Sequence, residues 1–190
     1  MARYAGIIAN DYSASPGIST TFFVQGCPHH CPMCHNYETW DFNGGKEVTK
    51  ETYQELYDLI TANGITRNLA IMGGEPLCPD NVELTWSIIK YIKQRIPNIK
   101  VYLYTGYYVS DFVRVYNDRT TLEKVLANIE WLIDGPYIDS ARDITLCYRG
   151  STNQRIIQGP LTFGKKFDIL NIDDDEKIRG GHYGSTDFNN

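Results

Sequence analysis

The stretch Ile18-Ser19-Thr20-Thr21-Phe22-Phe23-Val24-Gln25-Gly26-Cys27-Pro28-His29-His30-Cys31-Pro32-Met33-Cys34 decides how the rest of the chain is read. Its first seven residues are almost all β-branched or aromatic, which predicts a strand ending at Gly26. Three cysteines follow at once, spaced C-x3-C-x2-C. Three thiolates on one short loop can reach three corners of a single cluster, and thiolates are the standard iron–sulfur ligands. A four-iron cluster held by three cysteines keeps one iron without a protein ligand. An open metal position is what a catalytic site needs, by the logic that separates catalytic from structural zinc. The competing reading is a zinc site with His29, His30 or His35 as fourth ligand. Zinc prefers a second pair of ligands at knuckle-like spacing, whereas Cys78 and Cys147 stand alone.

The chain has 190 residues, 42% apolar and 22% charged, so it can bury a core and is neither a disordered tail nor a coiled coil. Five cysteines are too few for a disulfide scaffold, and their number is odd. No apolar run approaches the ~18 residues of a membrane span. The apolar stretch near Met1–Ile8 is short for a secretory signal, so a cytoplasmic location with reduced thiols is expected. A net charge of −5 gives no basic surface for nucleic acid or anionic lipid. Cys78 and Cys147 are expected to pack as small apolar residues.

Outward from the cysteine loop, the pattern predicts alternating strands and helices. Residues 2–14 look β-like. Thr49 reads as an N-cap for a helix carrying Tyr53, Leu56, Tyr57 and Ile60 at helical spacing, closed by Gly64. Residues 68–72 predict a buried strand. Asp80 with Glu83 reads as a capping box for a helix through Leu84, Ile88, Ile89, Ile92 and Ile96, stopped by Pro97. Strands are expected at 99–104, at 129–133 and near Arg155-Ile156-Ile157, with helical turns in 109–117 and 121–128. The run Asp173-Asp174-Asp175-Glu176 and the tail from Gly180 are expected to be exposed. Strand, loop and helix recur four times in this reading, which predicts a parallel sheet with helices packed on it.

The working loops of such a sheet lie at the C-terminal ends of its strands. The unusual motifs all fall there: the cysteine loop, Gly73-Gly74-Glu75-Pro76, Thr105-Gly106 and Asp134-Gly135-Pro136-Tyr137. They are therefore expected to converge. The two glycines let backbone approach a ligand closely, and Glu75 is a candidate acceptor for an ammonium group. Thr105-Gly106 offers a hydroxyl and bare backbone. Arg149-Gly150-Ser151-Thr152-Asn153-Gln154-Arg155 offers two cations and several amide or hydroxyl groups that can grip a partner. Tyr104, Tyr107, Tyr108 and Tyr137 are candidates for the mouth of the site, and His29 and His30 for ordinary loop positions.

The cysteine spacing at the end of a first strand resembles the radical S-adenosylmethionine (SAM) enzymes. Cys34-His35-Asn36 and Gly73-Gly74-Glu75-Pro76-Leu77 are similar to the activating enzymes of glycyl-radical proteins. Tyr104-Thr105-Gly106-Tyr107, Leu132-Ile133-Asp134-Gly135-Pro136-Tyr137 and the Arg149–Arg155 segment resemble the activases of anaerobic (class III) ribonucleotide reductases. The resemblance runs from about Gly17 to Ile157. It implies an incomplete parallel β/α barrel, open on one side, in a single domain 1–190 with a core of about 17–158 and a C-terminal extension of about 159–190. It implies a [4Fe-4S] cluster on Cys27, Cys31 and Cys34, and SAM held by Met33, Cys34, His35, Asn36, Gly73, Gly74, Glu75 and Thr105. It further implies reductive cleavage of SAM and transfer of the radical to a glycine of the reductase large subunit. A flavodoxin- or ferredoxin-like protein would supply the electron, and Asp134, Tyr137, Arg149, Asn153, Gln154 and Arg155 would face the partner. The residue before the third cysteine is usually aromatic in the wider family and is Met33 here, whose thioether can pack on an adenine ring. Other readings are an activase of pyruvate formate-lyase or another glycyl-radical enzyme, a small-molecule radical SAM enzyme, and a non-enzymatic zinc-binding interaction module.

Overall fold

A computed structural model describes residues 2–163 and 165–170. The expected exposed run at Asp173–Glu176 and the tail from Gly180 lie outside the described residues. An eight-stranded open sheet has the order β3-β1-β2-β4-β5-β6-β7-β8. The strands are β1 (Arg3–Asp11), β2 (Ser19–Val24), β3 (Lys46–Glu47), β4 (Asn68–Gly73), β5 (Val101–Tyr104), β6 (Trp131–Asp134), β7 (Arg155–Gln158) and β8 (Ile169–Leu170). The α-helices among the described residues are α1 (Lys50–Thr61), α2 (Val82–Lys93), α3 (Phe112–Val115) and α4 (Thr120–Leu126). No helix among the described residues is long and apolar enough to cross a membrane.

Parallel pairing is confined to the centre, where β2, β4, β5 and β6 lie side by side. Each join within this group is a crossover through a helical segment, as parallel neighbours require. The flanks are antiparallel: β1 pairs with β2 and β3 on one side, and β7 with β6 and β8 on the other. The expectation of a parallel sheet built from four strand–loop–helix units is corrected on this point. Three units exist, and the chain after β6 returns through a helix-poor loop into an antiparallel strand.

Alternation along the strands sorts the side chains onto two faces. Leu69, Ile71, Val101, Leu103, Leu132 and Ile157 join Leu56 and Ile60 of α1, Ile88, Ile89 and Ile92 of α2, and Leu122 and Val125 of α4 in one buried core. The intervening residues Ala70, Tyr102, Trp131, Ile133 and Ile156 form a second, smaller cluster with Ala14, against which Met72, Tyr104 and Tyr148 pack. The helices thus cover one face. The other face carries large aromatic side chains that lead up to the strand ends.

Helix boundaries follow local chemistry with two corrections. Thr49 caps α1 as expected, its backbone N–H donating to Thr52 Oγ1 at 3.1 Å. The helix ends at Thr61, and a 3-10 turn over Ala62–Gly64 carries the chain on, with Asn63 in the left-handed region at φ 60°. For α2 the cap is Asn81, with no side-chain capping bond, so the Asp80–Glu83 capping box does not form. Glu83 instead accepts from Thr121 Oγ1 at the start of α4. Asn81 is drawn into a tertiary network described below.

Cys78 is 1% exposed, as the apolar reading expected, and Cys147 is half-buried. Burial, with the nearby Glu75 adding to it, pushes the Cys78 thiol up to about 12. The folded chain keeps this proton after the unfolded chain has lost it. Its contribution is complete below the ordinary thiol range near 9 and is lost as pH rises towards 12. Cys78→Ala is expected to cost about 1 kcal/mol at pH 7 through lost packing. That deficit should shrink between pH 9 and 12 in urea unfolding of the cluster-free, reduced chain; a deficit constant with pH would contradict this account.

Candidate functional site

The C-terminal ends of the four parallel strands enclose a cleft of about 150 Å³. Its lining includes Cys27, Cys31 and Cys34 behind β2, Gly73, Gly74 and Glu75 behind β4, Thr105 and Gly106 behind β5, and Gly135 and Tyr137 behind β6. The expected convergence of motifs therefore occurs.

The cysteine loop is tied down at its base and bent within. Gly26 N–H donates to Thr39 O and Cys27 N–H to Trp40 O. Cys34 N–H donates to Cys31 O at 3.1 Å, closing a turn between the second and third cysteines. His30 and Met33 both take the left-handed conformation, at φ 48° and 58°. Non-glycine residues seldom adopt it, His more readily than Met, and such strain concentrates at functional sites. The His30 ring stacks on Trp40 at 4.7 Å. Burial first, with Glu75 contributing, pushes the Cys27 thiol up to about 11, and burial raises Cys31 as well. Both are thiols at neutral pH in the metal-free chain.

Glu75 holds the cleft together. Its carboxylate is 1% exposed. One oxygen accepts from Leu77 N–H at 2.8 Å and Thr105 Oγ1 at 2.7 Å; the other accepts from Gly106 N–H at 2.6 Å and faces His29 Nε2 at 2.9 Å. All four acceptor sites of the carboxylate are thus in use. In this structure Glu75, which the sequence suggested as an acceptor for an ammonium group, joins the β2, β4 and β5 loops. The backbone reinforces that join, with Gly74 N–H donating to Val24 O and Glu75 N–H to Gly26 O. Asn81 braces the same region, the two N–H groups of its Nδ2 shared among the carbonyls of Gln25, Gly26 and Glu75 at 3.0–3.1 Å. Gly74 has no room for a side chain, because a Cβ there would collide with the Gly26 carbonyl.

The rim from β6 and β7 is held by hydrogen bonds of its own, with Asn153 Oδ1 buried and without a partner. Asp134, fully buried, accepts from Arg155 Nε at 2.8 Å and from Arg155 Nη2, and its second oxygen takes Val109 N–H at 3.0 Å. Asn153 Nδ2 donates to Pro136 O at 2.8 Å, and Gln154 Nε2 to Gly135 O at 3.1 Å. Gln154 Oε1 accepts from Gly150 and Ser151 N–H. Tyr137 lines the cleft and its hydroxyl donates to Asp139. Arg149 Nε approaches Cys147 O at 3.4 Å. The Arg149–Arg155 segment thus uses Asn153, Gln154 and Arg155 to hold the Asp134–Tyr137 turn, where the sequence suggested groups free to grip a partner.

Of the other expected cofactor residues, Asn36 lines the cleft, whereas Met33 is 76% exposed and His35 is exposed, and neither lines it. Tyr104 lines the cleft; Tyr107 and Tyr108 line a neighbouring groove with His29. His29, read from the sequence as a candidate zinc ligand or an ordinary loop residue, and Asn81 are the positions whose part in holding the cleft the sequence reading missed. No local pattern marks His29, and the capping motif at Asp80 and Glu83 drew the reading past Asn81.

The donor set fits an iron–sulfur cluster: three cysteines of one loop open on one glycine-lined cleft. No three His, Cys, Asp or Glu side chains among the described residues gather as they do round a single metal ion. Residues 14–157 match the family described as a 4Fe-4S single cluster domain. The chain is 31% identical over 153 residues to the anaerobic ribonucleoside-triphosphate reductase-activating protein of Salmonella typhi, covering 80% of this chain and 96% of that protein. The proteins of the same name from Escherichia coli K12 and Enterobacteria phage T4 are 31% and 32% identical, over 76% and 81% of this chain and 90% and 92% of theirs. The chain belongs to the family of anaerobic ribonucleoside-triphosphate reductase-activating proteins.

Glu75→Gln puts an amide donor where two donors now point, and is expected to destabilise the cluster-free chain by about 2–4 kcal/mol. His29→Ala removes one partner only and should cost less. Urea denaturation of both variants ranks them, and the reverse order would show that Glu75 is not the junction described.

Proposed function

We propose that the chain is a cytoplasmic radical SAM activase that places a glycyl radical on an anaerobic ribonucleotide reductase. The observation that carries this reading is the opening of Cys27, Cys31 and Cys34 onto the same cleft as the bare backbone of Gly73, Gly74 and Gly106. The parallel strands β2, β4, β5 and β6 would be the core of the family's incomplete barrel. A [4Fe-4S] cluster with SAM at its open iron supplies one-electron cleavage of SAM, and with it hydrogen-atom removal from a glycine Cα of the reductase large subunit. A flavodoxin- or ferredoxin-like donor would provide the electron.

The chain's own residues bind and orient. Cys27, Cys31 and Cys34 would hold three irons as thiolates. Because Cys27 and Cys31 are protonated in the metal-free chain, cluster loading releases protons and is favoured by higher pH. Gly73 takes φ 106° and Gly74 lies against the Gly26 backbone, so the strand-end peptide groups can approach the methionine end of SAM without a side chain between. Asn36 and Tyr104 line the same space. Glu75 and Asn81 fix the loops that carry these groups, so the site is organised before the ligand arrives. Hydrogen-atom abstraction needs no acid–base pair. Protein groups contribute position and exclusion of water, and the cofactor supplies the difficult chemistry.

After anaerobic iron and sulfide loading and dithionite reduction, the chain is expected to convert SAM to 5′-deoxyadenosine and methionine. Cys31→Ala should reduce both products to background. With a partner reductase, electron paramagnetic resonance should reveal a glycyl radical only when SAM and loaded chain are both present. A chain that binds zinc, takes up no iron and leaves SAM intact would overturn the proposal. Gly74→Ala provides a further check: it should lower iron retained per chain and slow SAM cleavage while all three cysteines remain.

A further inference from the structure

Residues 36–45 follow the third cysteine and turn back along the loop that carries all three. The return is fixed where β2 ends: Gly26 N–H donates to Thr39 O at 2.7 Å and Cys27 N–H to Trp40 O at 3.1 Å. At one end of the segment Thr39 Oγ1 donates to Asn36 O at 2.7 Å, and at the other Arg3 Nη2 donates to Gly45 O at 2.9 Å. Between them stands Gln25, 2% exposed, whose Nε2 donates to Asp41 O at 2.7 Å and to Glu38 O at 3.2 Å. Both partners can only accept, so this amide cannot be reversed. The path lays two aromatic rings on the first half of the cysteine loop. The Phe42 ring occupies the place that a Cβ on Gly26 would take. The Trp40 ring stacks on His30, with centroids 4.7 Å and planes 26° apart. Cys27 lies between these two contacts in the chain and is 8% exposed, whereas Cys31 and Cys34, beyond them, are half-buried. Trp40 also lines the cleft with all three cysteines.

We propose that residues 36–45 are a fixed cover for the Cys27 corner of the metal centre, with the Trp40 ring as the covering group and Gln25 as its positioning residue. A cluster held there is open to chelators and oxidants from the Cys31–Cys34 side and closed to them at Cys27. An apolar shell controls how far solvent reaches a metal site, and the oxidation of a cysteine follows its exposure. Gln25 acts through Trp40, because the carbonyls it holds, at Glu38 and Asp41, bracket that residue. What the cover protects rests on the cluster reading above. The cover itself belongs to the metal-free chain and is tested there.

The full, reduced, cluster-free chain is treated anaerobically with iodoacetamide at neutral pH, and each cysteine is followed by peptide mass spectrometry. Cys31 and Cys34 are expected to react ahead of Cys27. Trp40→Ala and Gln25→Leu should each speed the reaction of Cys27 about tenfold, as when an aromatic contact that keeps a segment closed is lost, and leave Cys31 and Cys34 unchanged. Trp40→Phe keeps a ring on His30 and should restore most of the protection. Leu126→Ala, a core change under α4, controls for general loss of stability and should leave Cys27 protected. An unaltered Cys27 rate in Trp40→Ala overturns the cover, and one in Gln25→Leu overturns the positioning role. A rise shared by all three cysteines, or reproduced by Leu126→Ala, assigns the effect to unfolding of the chain and overturns the proposal as well. In a second arm the chains are loaded with iron and sulfide, and iron release to a ferrous chelator is timed at equal initial content. Trp40→Ala should release iron faster than Trp40→Phe, and equal rates overturn the protective role. If the unaltered chain takes up no iron, the cluster reading fails and the protective role with it, while alkylation decides separately whether the cover exists.

Discussion

A single buried carboxylate governs the geometry of the cleft. Glu75 has four acceptor sites and four partners, supplied by three different strand ends. A carboxylate shut away from water is costly unless its oxygens are all engaged. That cost makes the arrangement specific: any shift of the cysteine loop, the β4 turn or the β5 end leaves a buried acceptor unpaired. The neighbouring Gly26 carbonyl works in the same way, accepting from both Glu75 N–H and Asn81 Nδ2. Gly74 completes the join by having no side chain, which lets the two loops meet backbone to backbone. A site that must present three sulfurs and bare peptide groups at fixed separations needs this kind of over-determination, since its own loops are strained at His30 and Met33.

The parallel centre of the sheet explains why distant motifs meet. Strands β2, β4, β5 and β6 all point the same way, so the loops after them open on one edge. The helices cover only one face, with Ile88, Ile89 and Ile92 of α2 at the middle of that core. On the other face, Met72 and Tyr104 continue from the aromatic cluster into the cleft lining. Core packing and site formation therefore use alternate residues of the same strands. Leu103 is spent on the core, and Tyr104 beside it on the cleft.

Much of this was legible from local pattern. The β-branched run at 18–24, the buried run at 68–72 and the helical spacing of Leu84, Ile88, Ile89 and Ile92 each carry their own period, and each forms the expected element. The cysteine spacing and the placing of motifs at strand ends were equally readable. What escaped was set by contacts distant in sequence. Asp80 and Glu83 form a capping pattern, yet Asn81 wins the cap position because its side chain reaches three carbonyls across the cleft base. Glu75 looks like a ligand group in a loop motif. Only the fold reveals Thr105 and Gly106, thirty residues on, arriving at its oxygens. The charges and amides of 149–155 look available for the same reason, because their partners at 134–136 lie outside any local window.

The direction of β7 is the other feature that pattern could not supply, and it is what brings that segment to the site. A strand following the parallel group through a helix would have begun at the opposite edge of the sheet, remote from the cleft. Because β7 runs antiparallel to β6, its first residue Arg155 stands opposite Asp134, the last residue of β6. The residues just before β7 must then lie at the same edge as the residues just after β6. This places Asn153 and Gln154 against the carbonyls of Pro136 and Gly135, and the cross-strand pair of Asp134 with Arg155 pins the two chains where they part. Asp134 is fully buried and its guanidinium partner is also hydrogen-bonded to it through Nε, the paired geometry in which a buried charge is tolerated. One reversal of strand direction thus converts an open connection of the fold into the fourth wall of the cleft.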